Sequence, residues 1–164
     1  MIRTNTKIGD IFAARLGGNR KKYFQYVAND LSQLNSDVIR ALKQEYADDD
    51  DPDLAEVVRG EVQFYAHCVT KWGVKMGLWE RVGSVPDVGG LEIVFRRTSD
   101  YGRRPDEDPV RISDNWYVWA INGEHRHVGR LNEETRRAYV GLVINPYGII
   151  ELLKGNKYPP NYPD

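Results

Sequence analysis

Lys7-Ile8-Gly9-Asp10-Ile11-Phe12-Ala13-Ala14-Arg15-Leu16, then Gly17-Gly18-Asn19, then Lys22-Tyr23-Phe24-Gln25-Tyr26-Val27-Ala28, reads as a strand, a turn and a return strand. Ile8, Phe12 and Leu16 are among the apolar positions of the first stretch. Gly17, Gly18 and Asn19 tolerate the positive φ of a tight reversal. The return stretch is rich in aromatic and β-branched residues, which suit a pleated, partly covered surface. A hairpin is the expected product, and sheet the expected framework.

Composition agrees. Ten Tyr, four Trp and four Phe favour sheet over a helix bundle. At 164 residues the chain fits one domain, 1–164, with 156–164 as an irregular proline-rich tail. That length can bury a core without disulfides or metals. Net charge is −1, from 23 basic and 24 acidic residues, which argues against nucleic acid as the main partner. The lone cysteine, Cys68, excludes an intramolecular disulfide and fits a reducing compartment. The opening Met1-Ile2-Arg3-Thr4-Asn5-Thr6 has no apolar signal core, and no apolar run reaches a membrane-spanning length of roughly 20 residues. A cytoplasmic location is expected.

Further along, Asn29 to Asp37 reads as a connection. Val38 to Tyr46 is open between helix and strand: Val38, Leu42 and Tyr46 recur at helical spacing behind a capping Asp37, yet Val38-Ile39 suits a strand. Asp48 to Asp51, followed by Pro52 and Asp53, is a solvated loop. Leu54 to Val58 reads as a turn of helix or the start of a strand. Glu61 to Thr70 is a strand, with Val62, Phe64, Ala66 and Cys68 on one face and Gln63, Tyr65 and His67 on the other. Trp72 to Val82 is glycine-broken and is expected to be irregular over a packed tryptophan. Leu91 to Arg96 is a short strand, and Arg97 to Asp108 an exposed charged loop.

Asn115 to Ile121 is apolar on both faces and predicts a central strand. Asn122-Gly123 predicts a type I′ turn into a return strand over Glu124 to Gly129. Leu131 to Arg137 is polar, and Tyr139 to Ile144 is a last strand. Asn145-Pro146 reads as an N-cap with proline at the first helical position, and Gly155 as the stop of a helix ending near Lys154. The fold class is α+β: a predominantly antiparallel sheet with a C-terminal helix.

Chemistry-bearing candidates are few. His125 and His127 would share a strand face, but no cysteine pair or H-x-x-x-H helix adds ligands, so exposed hairpin histidines are expected rather than a metal site. His67 beside Cys68 suggests a base and nucleophile, yet adjacent strand residues point to opposite faces. The aspartates lack the spacing of a calcium loop. Asp48, Asp49, Asp50, Asp51 and Asp53 are the candidate partner-binding residues, as a patch for a basic protein. Arg96, Arg97, Arg103 and Arg104 with Tyr101 could follow a nucleic-acid strand, but Asp106, Glu107 and Asp108 lie next to them. Neither G-x-x-x-x-G-K-[ST] nor G-x-G-x-x-G occurs, so no cofactor and no catalytic residue is expected.

Lys7-Ile8-Gly9-Asp10-Ile11-Phe12, followed by Tyr23-x-Gln25-Tyr26, resembles the opening of the immunity protein 26 family of bacterial polymorphic toxin systems. Gly77-Leu78-Trp79-Glu80-Arg81-Val82-Gly83 is similar to that family's G-x-W-x-x-x-G segment. The resemblance covers the N-terminal half. It implies a non-enzymatic protein that neutralises a cognate toxin by occluding its active surface. The Gly9-Asp10-Ile11 strand start is also similar to that of small SH3-like barrel toxins, so a partly open SH3-like barrel, and with it binding or cleavage of RNA, is the alternative.

Overall fold

The computed structural model describes residues 4–100 and 106–164. Strands β1 (Asp10–Arg15), β2 (Lys21–Asp30), β3 (Ser36–Leu42) and β4 (Val62–Cys68) form an antiparallel meander. β5 (Glu80–Ser84) returns to β1, giving a five-stranded sheet ordered β4-β3-β2-β1-β5. The second sheet contains β6 (Val94–Thr98), β7 (Trp116–Ala120), β8 (Arg126–Gly129) and β9 (Tyr139–Val140), ordered β8-β7-β6-β9. Helices α1 (Leu54–Val57), α2 (Thr70–Lys75) and α3 (Pro146–Leu153), with a 3-10 turn at Thr135–Arg137, complete the described chain. The α+β expectation holds, with the residues divided between two sheets and no closed barrel.

The sheets are joined by the segment after β9. β9 runs parallel to β6, and Gly141 N donates to Arg96 O (2.7 Å). Val143 then bridges His67 in parallel, and Ile144 N donates to His67 O (2.8 Å). One segment therefore stitches β6 of the second sheet to β4 of the first. The last strand is two residues long rather than the expected six, because the chain changes partner in the middle.

The first hairpin forms as read: Gly17, Gly18 and Asn19 have φ of 83°, 63° and 57°. β1 begins at Asp10, not Lys7, because Gly9 turns with φ 100°. A Cβ at Gly9 would lie 3.0 Å from Ser84 Oγ and 3.1 Å from Val85 O, so glycine also permits the approach of β5. β1 and β5 pair directly, with Ile11 opposite Gly83 and Phe12 opposite Arg81. Arg81 Nε reaches the buried Asp10 carboxylate at 2.9 Å. The Gly9-Asp10-Ile11 and Gly77 to Gly83 stretches thus lie side by side.

Val38 to Tyr46 resolves as strand over Ser36–Leu42. Val38, Ile39, Ala41 and Leu42 are all buried, since the first sheet is covered on both faces. Phe12, Phe24, Ile39, Ala66 and Trp79 pack beneath α3 residues Ile149 and Leu153. On the other face, Ile11, Tyr23 and Leu42 meet Val57 and Val58. Further along that face, Val27 and Val38 meet Phe95 and Trp119.

Trp72 to Val82, expected irregular, is instead α2 followed by β5. Trp79 is the packed tryptophan, donating Nε1 to Thr70 O (2.9 Å), whereas Trp72 is 57% exposed. The β7–β8 turn closes through Gly123 N to Ala120 O (2.8 Å), but only Asn122 takes positive φ (61°), so it is not type I′. α3 is capped as read, Asn145 Oδ1 accepting from Gly148 N (2.9 Å) and Gly155 turning out at φ 89°. Its last carbonyls are met by Gln63 Nε2 at Leu152 O (3.1 Å) and by Lys22 Nζ at Leu153 O (3.0 Å). The expected loop at Arg97 to Asp108 falls partly outside the described residues.

Gly73 gives a test in which two effects oppose each other. Alanine is favoured over glycine inside a helix by about 1 kcal/mol. A Cβ there, however, would lie 2.0 Å from the buried Trp79 ring. Overpacking costs about 1–3 kcal/mol. Gly73→Ala should therefore lower the urea unfolding midpoint despite the better propensity; a raised midpoint would show that the indole can move aside.

Candidate functional site

The acidic loop is built on Lys21. Lys21 N and O pair with Tyr46 O and N, fixing the chain just before the aspartates. The Lys21 ammonium is largely buried and donates to Asp48 O (3.0 Å) and Asp50 O (2.5 Å). Asn19 Oδ1 accepts from Asp48 N (3.0 Å), Asp50 Oδ2 from Ala47 N (2.9 Å), and Asp53 Oδ1 caps α1 through Ala55 N (3.0 Å). Asp49, Asp50, Asp51 and Asp53 are exposed and Asp48 is half-buried. Asp49 and Asp51 make no hydrogen bond to any described residue. Glu45 and Glu56 lie exposed on either side in sequence. The loop is therefore a fixed negative projection; the aspartates were legible in the sequence, but Lys21 was not.

A second polar cluster lies inside. Asp30 and His67 are both 0% exposed, with His67 Nε2 2.9 Å from Asp30 Oδ2. Trp119 Nε1 donates to the same oxygen (2.9 Å). Asp30 Oδ1 accepts from Ser32 Oγ (2.6 Å), Ser32 N (3.1 Å) and Asn122 N (2.9 Å). Burial raises the Asp30 pKa, but hydrogen bonds from Ser32, Trp119, His67 and Asn122 more than offset it, leaving about 2. Burial lowers the His67 pKa, against the pull of Asp30. The ring is thus neutral, with Nε2–H the donor.

An aspartate-paired histidine is also the arrangement of a general base. Here both side chains are fully buried, and the buried Nδ1 of His67 has no hydrogen-bond partner among the described residues. The His67 ring lies 4.1 Å from Phe95. The pair links β2 to β4 within the first sheet, and Trp119 and Asn122 tie the second sheet to the same carboxylate. Nothing in the sequence marked Asp30, which sits where a plain polar connection was expected.

Cys68 faces away from His67 into the core, and burial pushes its thiol pKa well up. His125, expected to be exposed, stacks half-buried on Trp119 (4.1 Å, 13°). His127 is exposed and meets Asn115 Oδ1 at 3.1 Å. No three His, Cys, Asp or Glu side chains converge as metal ligands among the described residues. Arg96 is half-buried, donates Nε to Ala138 O (3.0 Å) and lies 4.7 Å over the Trp116 ring. It is built into the fold rather than into a basic strip. Arg103, Arg104 and Tyr101 lie outside the described residues. Among the described residues no helix is long and apolar enough to cross a membrane.

Comparisons with family models, curated proteins and solved structures give no match to this chain.

The buried pair makes stability depend on pH in two steps. His67 has a folded pKa below its unfolded 6.5, so its contribution is full above pH 6.5 and is lost as pH falls. His125, whose pKa burial and Arg97 lower, acts in the same direction. Asp30 contributes about 2 kcal/mol above its unfolded pKa, lost between about pH 4 and pH 2. Urea midpoints should be flat between about pH 7 and 8, fall below 6.5 and fall again below 4. Asp30→Ala should cost about 3 kcal/mol or more, since it strands buried donors on Trp119 and His67. A pH-independent midpoint from 7 to 5 would contradict the assignment of a neutral, buried His67.

Proposed function

We propose that this chain is a non-enzymatic binding protein that neutralises a cognate bacterial toxin by occluding its active surface. The observation that carries this is the anchored acidic loop. Lys21 and the α1 cap hold Asp48 to Asp53 in place, so a partner need not order the loop on binding. Fixed carboxylates of one sign suit a basic partner such as a nuclease, whose phosphate-binding surface is itself cationic. The family resemblance at Gly9 to Phe12 and at Gly77 to Gly83 supports the same reading. Inhibition of this kind needs complementary shape and charge and no chemistry of the inhibitor's own.

The test is co-expression with the toxic domain encoded beside this chain's gene, and purification of any complex. Growth should be rescued, and association should slow as salt rises. Asp49→Asn with Asp51→Asn leaves the loop's internal hydrogen bonds intact. It should lower the association rate about tenfold at low salt with little change in dissociation. If growth is not rescued and no complex forms, the proposal is overturned. A complex indifferent to both substitutions would remove the loop from the interface.

A further inference from the structure

We propose that this chain binds a small aromatic carboxylate in a cavity beside the stitch between the two sheets, with the carboxylate on Arg96. The cavity holds about 340 Å³, near the lower end of the roughly 300–1,000 Å³ of ligand pockets. β4 supplies Phe64 and Tyr65 to its lining, β9 supplies Tyr139, and the end of the chain supplies Tyr158 and Tyr162. Arg96, Lys157 and Asp164 are the charged groups of the lining. The irregular stretch 156–164 thus forms one wall of the cavity.

Arg96 supplies the site for the anion. Its guanidinium is held from two sides, Nε donating to Ala138 O (3.0 Å) and Cζ lying 4.7 Å over the Trp116 ring. That is its one hydrogen bond among the described residues, and Nη1 is buried without a partner there. A partly desolvated cation with unused donors is costly, and burial lowers the Arg96 pKa accordingly. Asp164 lies near enough to favour the charge, yet its carboxylate pairs with Lys157 Nζ (2.9 Å) and not with Arg96. Arg136 adds a third positive side chain nearby. Three cations against one carboxylate leave a net positive charge here. A guanidinium with free donors takes a carboxylate through charge-assisted hydrogen bonds.

The walls favour a ring as the body attached to that anion. Tyr65 and Tyr139 meet edge to face at 5.2 Å, and Tyr162 meets Trp116 in the same way at 5.6 Å. Tyr162 Oη accepts from Thr98 N (2.9 Å), and Tyr158 Oη from Asn145 Nδ2 (2.6 Å). Asp164 N donates to Arg111 O (3.0 Å), which ties down the end of the wall. The lining is thus fixed in advance, and an aromatic guest adds ring–ring contact to its own burial. None of Asp48 to Asp53 lines this cavity, so the site stands independently of the proposed toxin interface.

Two-dimensional NMR titration of the full chain with benzoate, phenylacetate and indoleacetate at neutral pH tests this. Saturable shifts are expected in β4, β9 and residues 157–164. Benzyl alcohol keeps the ring without the charge, and acetate the charge without the ring; each should bind at least about tenfold more weakly. Arg96→Gln should weaken binding of the aromatic acids at least about tenfold. Because Arg96 also packs on Trp116, Asp164→Asn gives a second reading. Asp164 is exposed, so the fold is kept, and removing its negative charge should tighten binding severalfold. No saturable shift with any aromatic acid up to about 10 mM would overturn the proposal. So would benzyl alcohol binding as tightly as benzoate, octanoate binding more tightly than the aromatic acids, or an affinity indifferent to both substitutions.

Discussion

The structure depends first on one buried carboxylate. Asp30 ends the central strand of the first sheet, and an ionised group there is tolerable only if fully hydrogen-bonded. Its donors come from its own turn at Ser32, from β4 at His67, and from the second sheet at Trp119 and Asn122. Through them it fixes the tautomer of His67, the depth of the Trp119 indole and the start of the β2–β3 turn. Residues near positions 30, 67 and 120 meet at one anion, so the sheets are positioned by polar geometry as well as by apolar packing.

The same device is repeated along β2. Lys21 holds the acidic loop by its carbonyls, and Lys22 meets the carbonyl end of α3. Gln25 donates to Val85 O and Asp87 O and accepts from Arg40 Nε, which fixes the connection between β5 and β6. Asp30 holds the second sheet. The central strand thus carries four buried polar side chains, each of which holds a different peripheral segment. Burial lowers the Lys22 pKa.

Local features were legible in the sequence. The Gly17-Gly18-Asn19 reversal, the Asn145-Pro146 cap and the Gly155 stop each depend on residues adjacent in the chain. Val38 to Tyr46 was not legible, because burial on both faces erases the alternation that identifies a strand. α2 was missed because it is a six-residue helix with an internal glycine and no side-chain cap. The acidic loop was visible as composition, but its rigidity comes from Lys21, about 27 residues upstream of Asp48. Asp30 was invisible for the same reason: its partners lie 37 and 89 residues away.

The stitch after β9 has a mechanical meaning. Within each sheet a load along the strands is shared by whole ladders, such as the six paired positions between β3 and β4. Across the joint it falls on Gly141 N to Arg96 O and Ile144 N to His67 O, helped by the Asp30 cluster. Under tension the molecule would part along that line, each sheet leaving whole, with Phe95 and Trp119 as the newly wetted faces.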